Sequence, residues 1–228
     1  MSEFARIARI ARILEMPTRA SVLVGIGDDA AVLEPIAEQT VLTVDASVED
    51  VHFRRAWMSF EDIGYRATVA AASDVLAMGA RPTVALAAWT IPADLDEADI
   101  DAVARGQRAA ADALGLAIVG GNLSRGPSLS ITTTVLGKTT HPIGRAGARV
   151  GDRLAIAGVV GEAALGLRAL EAGKPESAPR AVASFRRPQV LLSVSLDGAH
   201  AAIDVSDGLA QDLGHLARAS GVRAVLDV

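Results

Sequence analysis

The sequence predicts a protein of the α/β to α+β class, built from two units. Strand-like and helix-like segments alternate along both halves of the 228-residue chain. A Gly/Pro/Arg-rich stretch, KTTHPIGRAGARVGD (138–152), separates the halves. Half of the residues are hydrophobic but only 3% are aromatic, which predicts a sizeable, lightly aromatic core.

The first unit opens with ARIARIARI (5–13) at helical spacing. Arg6, Arg9 and Arg12 form one stripe, and Phe4, Ile7, Ile10 and Leu14 lie near a second face. An amphipathic helix packed on the domain is expected; a membrane-seeking or transit helix is the alternative. SVLVGIG (21–27) reads as a strand running into a turn, and TVLTVDAS (40–47) as a strand ending at Asp45. Residues 60–79 form a helix with Ser59 as N-cap, Asp62 at the acid-favouring third position and Gly79 at its end. PTVALAAWTI (82–91) is a strand. Asp94 to Leu114 is a helix stopped by Gly115. LAIVGG (116–121) and LSITTTVLG (129–137) are strands around the loop NLSRGPS.

In the second unit the pattern predicts a strand at 153–157, a helix at 162–172, a soft segment AGKPESAPR and a helix at 187–196. A strand at 201–206, a helix at 207–220 and a strand at 223–228 follow. The chain stops on that strand, so this unit is expected to be unfinished.

Composition narrows the function. A net charge of −5 leaves no basic footprint for nucleic acid. The apolar run VALAAWTI (84–91) is too short to span a bilayer. No signal-peptide core opens the chain, and no cysteine is present; a cytoplasmic protein is expected.

Two nucleotide motifs nearly match. Gly25-x-Gly27-x-x-Ala30, with Asp45 about 20 residues on, resembles a dinucleotide fingerprint. However, Pro35 interrupts the segment that should be the intervening helix, and Asp28 and Asp29 would meet the pyrophosphate, anion against anion. A hairpin or short loop fits better and points to a metal. Gly121 and Gly126 have P-loop spacing, but Pro127 stands where lysine is required. The histidines (His52, His141, His200, His215) are scattered, and only His52 sits beside other candidates.

The informative feature is a set of acids near strand ends, turns and helix starts: Asp28, Asp29, Asp45, Glu49, Asp50, Asp74, Asp204 and Asp207. Asp74 interrupts a helix of small apolar residues; it either has a partner or lies on a solvent-exposed turn. In IDVSDGL (203–209), Asp204 ends a strand, Ser206 is an N-cap and Asp207 lies in the first helical turn. Capping alone would explain Asp207. Aspartates converging from several loops suit a Mg-nucleotide site without a P-loop lysine. If the acceptor is itself a phosphate, its oxygen needs little base catalysis, and the protein mainly positions reactants and neutralises charge.

GIGDDAAVL, VDASVEDVHF, SDVLAMGARP, VGGNLSRG, PIGRAGARVGD and AIDVSDGLAQDLGHLARASG occur in this order. Together they resemble the thiamine-monophosphate kinase family of the aminoimidazole-ribonucleotide-synthetase-like superfamily, over almost the whole chain. The resemblance implies a two-domain synthetase-like fold. Residues 1–138 would be an ATP- and metal-binding, dimerising domain with a mixed sheet and helices, and 148–228 an incomplete C-terminal α+β domain. It implies in-line transfer of the ATP γ-phosphate to thiamine monophosphate, with several Mg²⁺ ions, in a homodimer formed through the N-terminal sheets.

Carried over by position, Asp28, Asp29, Thr43, Asp45, Asp74, Asn122, Asp204 and Asp207 correspond to the metal site. His52 corresponds to a substrate contact, and Gly121, Asn122, Arg145 and Ser206 to nucleotide contacts. Asp45, Asp74 and Arg145 would carry the chemistry. Two departures stand out. Asn122 replaces an aspartate, so one metal would be held less strongly unless Ser124 or water compensates. The chain also ends at Val228, before a loop and an aromatic that belong to the family's thiamine pocket. Two other readings remain open: another ATP-dependent synthetase of the superfamily, and a non-catalytic nucleotide-binding dimerisation module.

Overall fold

A computed structural model describes residues 3–15, 22–26 and 30–226. The chain forms α1 (Glu3–Leu14), β1 (Val22–Val24), β2 (Val32–Leu33), β3 (Gln39–Val48), α2 (Phe60–Ala77), β4 (Arg81–Ile91) and α3 (Glu97–Leu114). It continues with β5 (Ala117–Arg125), β6 (Ser130–Thr139), α4 (Glu162–Glu171), a 3-10 turn at Pro175–Ser177, α5 (Pro179–Arg186) and α6 (Leu209–Ser220).

The main sheet has the order β3-β6-β4-β5. β6 runs antiparallel to both β3 and β4, while β4 and β5 are parallel and joined by the α3 crossover. It is therefore the mixed sheet expected. Side chains alternate along β6: Ile131, Thr133 and Val135 are fully buried beneath the helices. On the opposite face the β1–β2 hairpin covers only the cluster around Val84, Ala117 and Val119.

Both long helices begin as their sequences require. The Ser59 hydroxyl accepts from the Asp62 N–H at 3.1 Å. Asp96 and Asp99 form a reciprocal capping box, which starts α3 three residues after the expected Asp94. α2 and α3 pack backbone to backbone. A Cβ on Gly64 would lie 2.1 Å from the Val103 carbonyl oxygen, and one on Gly106 would lie 1.9 Å from that of Glu61. A buried polar chain crosses this contact: Trp89 Nε1 donates to Gln107 Oε1 (3.1 Å), Gln107 Nε2 to Thr68 Oγ1 (3.3 Å), and Thr68 Oγ1 to the Gly64 carbonyl (3.0 Å). Most of the largest fully buried side chains are aliphatic, among them Ile63, Ile100, Leu114, Leu116, Leu129 and Ile131. Burial of each contributes about 1.5–3 kcal/mol.

α1 is the packed amphipathic helix. Ile10 and Leu14 are buried. Arg6 Nη2 meets Glu97 Oε1 at 2.6 Å, Arg9 Nε meets Asp101 Oδ1 at 2.6 Å, and Arg9 also pairs with Glu97. None of the described helices is long and apolar enough to cross a membrane.

Several elements depart from expectation. β3 runs through Asp45 to Val48 because β6 continues to pair with it as far as Ser130. β5 runs through Gly121 and Asn122 to Arg125, since the missing Cβ of Gly121 lets the β4 backbone approach; a Cβ there would lie 1.9 Å from the Ala87 carbonyl oxygen. The helix expected at 187–196 is displaced to 179–186. Pro179 starts it at a first-turn position, and Pro188 forces Arg187 to extended geometry (φ −127°, ψ 88°). The strands expected at 153–157 and 201–206, and the described part (223–226) of the strand expected at 223–228, do not form. A strand persists only where a neighbour completes its ladder, and these segments have none. Leu154, Ile156, Val205 and Val225 are exposed there.

The second unit docks through α5. Arg66 lies beneath the Phe185 ring, 4.4 Å from its centroid, and donates to the Phe185 carbonyl. Burial lowers the Arg66 pKa below the usual arginine value. Trp57 meets Phe185 edge to face at 6.5 Å.

Two outcomes follow from this packing. On an open helix Gly→Ala gains about 1 kcal/mol; at Gly64 or Gly106 the sign should reverse, with a loss of about 1–3 kcal/mol in denaturant melts. The second concerns α1. The Arg6 guanidinium, aided by Arg9, holds the Glu97 carboxyl below the usual carboxylate range, despite opposing burial. This stabilisation is complete above the unfolded glutamate pKa and is lost as pH falls through the folded value. Amide exchange across Glu3–Leu14 should therefore accelerate on acidification ahead of α2 and α3, and Glu97→Gln should produce the same release at neutral pH.

Candidate functional site

β3 is an edge strand, so its helix-facing side chains stand beside α2 without a further strand beyond them. Thr43 and Asp45, two residues apart, share that face. Thr43 Oγ1 donates to Asp74 Oδ2 at 2.6 Å. This resolves the ambiguity at Asp74: the acid is half-buried and has a partner. One oxygen of Asp45 accepts from the Ala46 N–H at 2.8 Å. In register with Asp45 lies Thr133, whose fully buried hydroxyl has no partner among the described residues.

The C-terminal unit enters next to Asp74. Ser73 Oγ donates to Asp204 Oδ2 at 2.8 Å, across 131 positions of sequence. The Ile143 N–H donates to the Met78 carbonyl at the end of α2, and the Ala202 N–H donates to the Gly144 carbonyl, both at 3.0 Å. Ser220 Oγ donates to the Arg145 carbonyl, also at 3.0 Å. The Arg145 loop is thereby held between α2, the 201–206 segment and α6. Asp45, Asp74, Asp204 and the Arg145 loop thus belong to one neighbourhood drawn from β3, α2 and the second unit.

Other candidates lie elsewhere. Asp28 and Asp29 fall outside the described residues. Gly121 shares a cross-sheet row with Asp45, through Thr133 and Ala87, and Asn122 lies in the next row with Ala88. Three strand spacings, about 14 Å, separate β5 from β3, so Gly121 and Asn122 do not join the Asp45–Asp74 group within one chain. His52 is exposed beyond the end of β3. Its Nδ1 accepts from the Val48 N–H at 3.1 Å, which leaves the proton of the neutral ring on Nε2. Glu49 and Asp50 have local explanations: Glu49 pairs with Arg55 and accepts from the Leu129 N–H, and Asp50 occupies a positive-φ turn.

Ser206 and Asp207 differ from expectation. Ser206 does not cap α6, and Asp207 lies before the helix rather than in its first turn. Gly208 occupies the N-cap position without a side-chain cap. Asp212 satisfies these donors instead; its Oδ2 accepts from the N–H groups of Ser206, Asp207 and Gly208 at 3.0–3.1 Å. Asp212 and Ser73 are the residues sequence reasoning missed. The available signal for Asp212 was an acid one helical turn after a Gly; Ser73 offered none beyond adjacency to Asp74.

All these side-chain donors are hard oxygens, the chemistry that suits Mg²⁺. Among the described residues no three His, Cys, Asp or Glu side chains cluster closely enough to hold a metal by themselves. Mg²⁺ commonly takes only one or two carboxylates, with water and substrate phosphates completing its shell. Asp74, with the Thr43 hydroxyl beside it, fits that use.

A mixed sheet under two helices, with oxygen donors at one edge, defines the class. Residues 27–139 match the family model of the AIR synthase related protein, N-terminal domain. Over 233 aligned residues the chain is 37% identical to a thiamine-monophosphate kinase of Mycobacterium tuberculosis, covering 98% of this chain and 68% of that protein. The crystal structure of thiamine-monophosphate kinase from Stenotrophomonas maltophilia superposes with a TM-score of 0.82 at 39% identity, covering 97% of this chain and 73% of that one. A structure of AaThiL complexed with AMPPCP and TMP gives 0.78 at 32% identity, covering 96% and 70%. The chain belongs to the thiamine-monophosphate kinase family, a family of phosphotransferases.

If the Ser73–Asp204 bond holds the second unit against α2, Ser73→Ala should cost about 1 kcal/mol. It should accelerate proteolysis or amide exchange across 201–206 more than across α2.

Proposed function

We propose that this chain transfers the γ-phosphate of ATP to thiamine monophosphate, yielding thiamine diphosphate and ADP. The observation that carries the reading is that adjacent residues of α2 bond to both units, Asp74 to Thr43 of β3 and Ser73 to Asp204, in a chain of this family. A phosphate oxygen of thiamine monophosphate forms the new bond to the γ-phosphorus as the bond to the β,γ-bridging oxygen breaks in line. The attacking oxygen is already anionic, so no general base is required.

The difficulty is holding two anionic reactants together. Asp45, Asp74 and Asp204 would hold Mg²⁺, joined by Asp28, Asp29, Thr43 and Asp207; Asn122, on β5, would be a weaker neutral donor to a separate ion of the several expected. Bound Mg²⁺ supplies charge neutralisation across the phosphates. The Thr43 and Ser73 hydroxyls orient Asp74 and Asp204. The Arg145 guanidinium offsets phosphate charge, Ser206 and Gly121 contact the nucleotide, and His52 presents its Nε2–H to the acceptor.

In this reading residues 1–138 form the ATP-binding and dimerising domain, and 148–228 close the cleft. The protein works in the cytoplasm as a homodimer. The dimer is supported by an unpartnered apolar sheet face: Leu42, Val44 and Leu86 are 66%, 62% and 44% exposed.

Incubation with ATP, Mg²⁺ and thiamine monophosphate, followed by chromatography, should yield thiamine diphosphate. Asp45→Asn and Asp74→Asn should each lower turnover about 10²–10³-fold, the usual cost of removing a group that stabilises developing charge. Unchanged product formation in both variants would refute the assignment. Mg-dependent nucleotide binding without product would favour the non-catalytic nucleotide-binding module.

A further inference from the structure

β6 sends Ile131, Thr133 and Val135 inward beneath the helices, and Thr133 is the polar member of that row, 0% exposed. Its hydroxyl has no hydrogen-bond partner among the described residues. The other buried polar side chains described are satisfied. Thr68 and Gln107 belong to the chain from Trp89, Thr139 accepts from the His141 N–H, and Asp212 accepts from three backbone N–H groups. Burying a hydroxyl unpaired is unfavourable, and valine would fill nearly the same volume without that cost.

The register shows where a partner lies. Thr133 stands opposite Asp45 of β3 on one side and Ala87 of β4 on the other. Ala87 offers only a methyl group. Directly opposed residues place their Cβ atoms about 4.5–5.5 Å apart, close enough for a hydroxyl to reach a carboxylate. Asp45 Oδ1 is turned back to the Ala46 N–H at 2.8 Å, which leaves Oδ2 to accept from a second donor. The other acids of the site already carry a hydroxyl of this kind: Thr43 Oγ1 donates to Asp74 Oδ2, and Ser73 Oγ to Asp204 Oδ2.

We propose that Thr133 is a positioning residue for Asp45. As Asp45 turns from the Ala46 N–H toward a divalent cation, the Thr133 hydroxyl donates to one carboxylate oxygen and leaves the other for the metal. Such outer hydrogen bonds orient a ligating carboxylate and are typically worth roughly 10–100-fold in metal affinity. The inference rests on the reading that Asp45 holds Mg²⁺. It adds that metal binding satisfies a buried hydroxyl that the metal-free fold leaves unpaired, so the hydroxyl costs stability without the metal and contributes affinity with it.

The test compares the full chain with Thr133→Val, which keeps the shape and removes the hydroxyl, and with Thr133→Ser, which keeps the hydroxyl and removes the methyl. Melting temperatures are read in EDTA, and AMPPCP binding is measured by calorimetry with Mg²⁺ and with EDTA. Thr133→Val should melt at least about 2 °C above the wild-type chain in EDTA, because an unpaired buried hydroxyl is gone. The same variant should bind AMPPCP about tenfold or more weakly in Mg²⁺, with metal-free binding unchanged. Thr133→Ser should show the reverse: a lower melting temperature from the lost methyl, and the Mg-dependent affinity of the wild-type chain. A residue that only packs the core would not move stability and metal-dependent affinity in opposite directions.

Unchanged Mg-dependent affinity in Thr133→Val overturns the proposal, as does equal weakening with and without the metal. A lower melting temperature of Thr133→Val in EDTA, or its failure to fold, also overturns it, since the hydroxyl would then be satisfied without the metal. Equal loss of Mg-dependent affinity in Thr133→Ser does the same. Asp45→Asn separates this proposal from the reading beneath it. If Asp45→Asn weakens Mg-dependent binding and Thr133→Val does not, only the role of Thr133 falls. If Asp45→Asn binds as the wild-type chain does, both fall. Mg-dependent binding without thiamine monophosphate turnover refutes the kinase reading and leaves this one standing.

Discussion

The contact between α2 and α3 at Gly64 and Gly106 sets the geometry of the first unit. Each glycine faces a carbonyl oxygen of the other helix at a separation that leaves no room for a methyl group. With the helices this close, the alanines along both can reach the sheet, and a core with few aromatic rings still fills its volume. The polar chain from Trp89 through Gln107 and Thr68 to Gly64 fixes how the helices sit over β4. Widening the contact would break that chain and leave buried donors and acceptors unpaired.

The site depends on this placement. Asp74 lies near the end of α2, and its distance from Thr43 on β3 is set by how α2 crosses the sheet. Thr43 and Asp45 tolerate polar function because β3 is an edge strand, half-open on its helix-facing side. The same acids on a central strand would sit beside Thr133, where burial is complete. The Ser73–Asp204 bond then draws the second unit to the same turn of α2, so adjacent residues of one helix organise acids from both units.

The second unit relies on different forces. α5 is fastened by arginine and aromatic groups: Arg66 under Phe185, Trp57 against its edge, and Arg187 bonded to Asp62 at 2.6 Å and Glu61 at 2.7 Å. The loop before α6 is held by a single buried carboxylate. These are local solutions, and none needs a sheet. Of the segments read as strands, 153–157 is exposed throughout, and 201–204 is half-buried.

Much of this architecture was legible in the sequence wherever the signal was local. The Ser59 cap, the alternation in β6, the Gly115 stop and the paired faces of α1 all follow from nearest-neighbour chemistry. The family was likewise legible, because the motifs keep their order. Other features required the tertiary structure. Asp45 was read as a strand end, yet β3 continues because β6 offers it a ladder. Asn122 was read as the start of a loop after a strand ending at Gly121, yet β4 extends the strand to Arg125. Ser206 was read as a cap, yet Asp212 took its place from inside the helix. The partner of Asp74 lay 31 positions away and that of Asp204 lay 131 positions away. The sequence by itself determined the helices of the first unit and their caps, since spacing and capping act within a few residues. Only the tertiary structure decided which strands persist and which hydroxyls meet Asp74 and Asp204, because ladders and side-chain hydrogen bonds are closed by residues that no local pattern brings together.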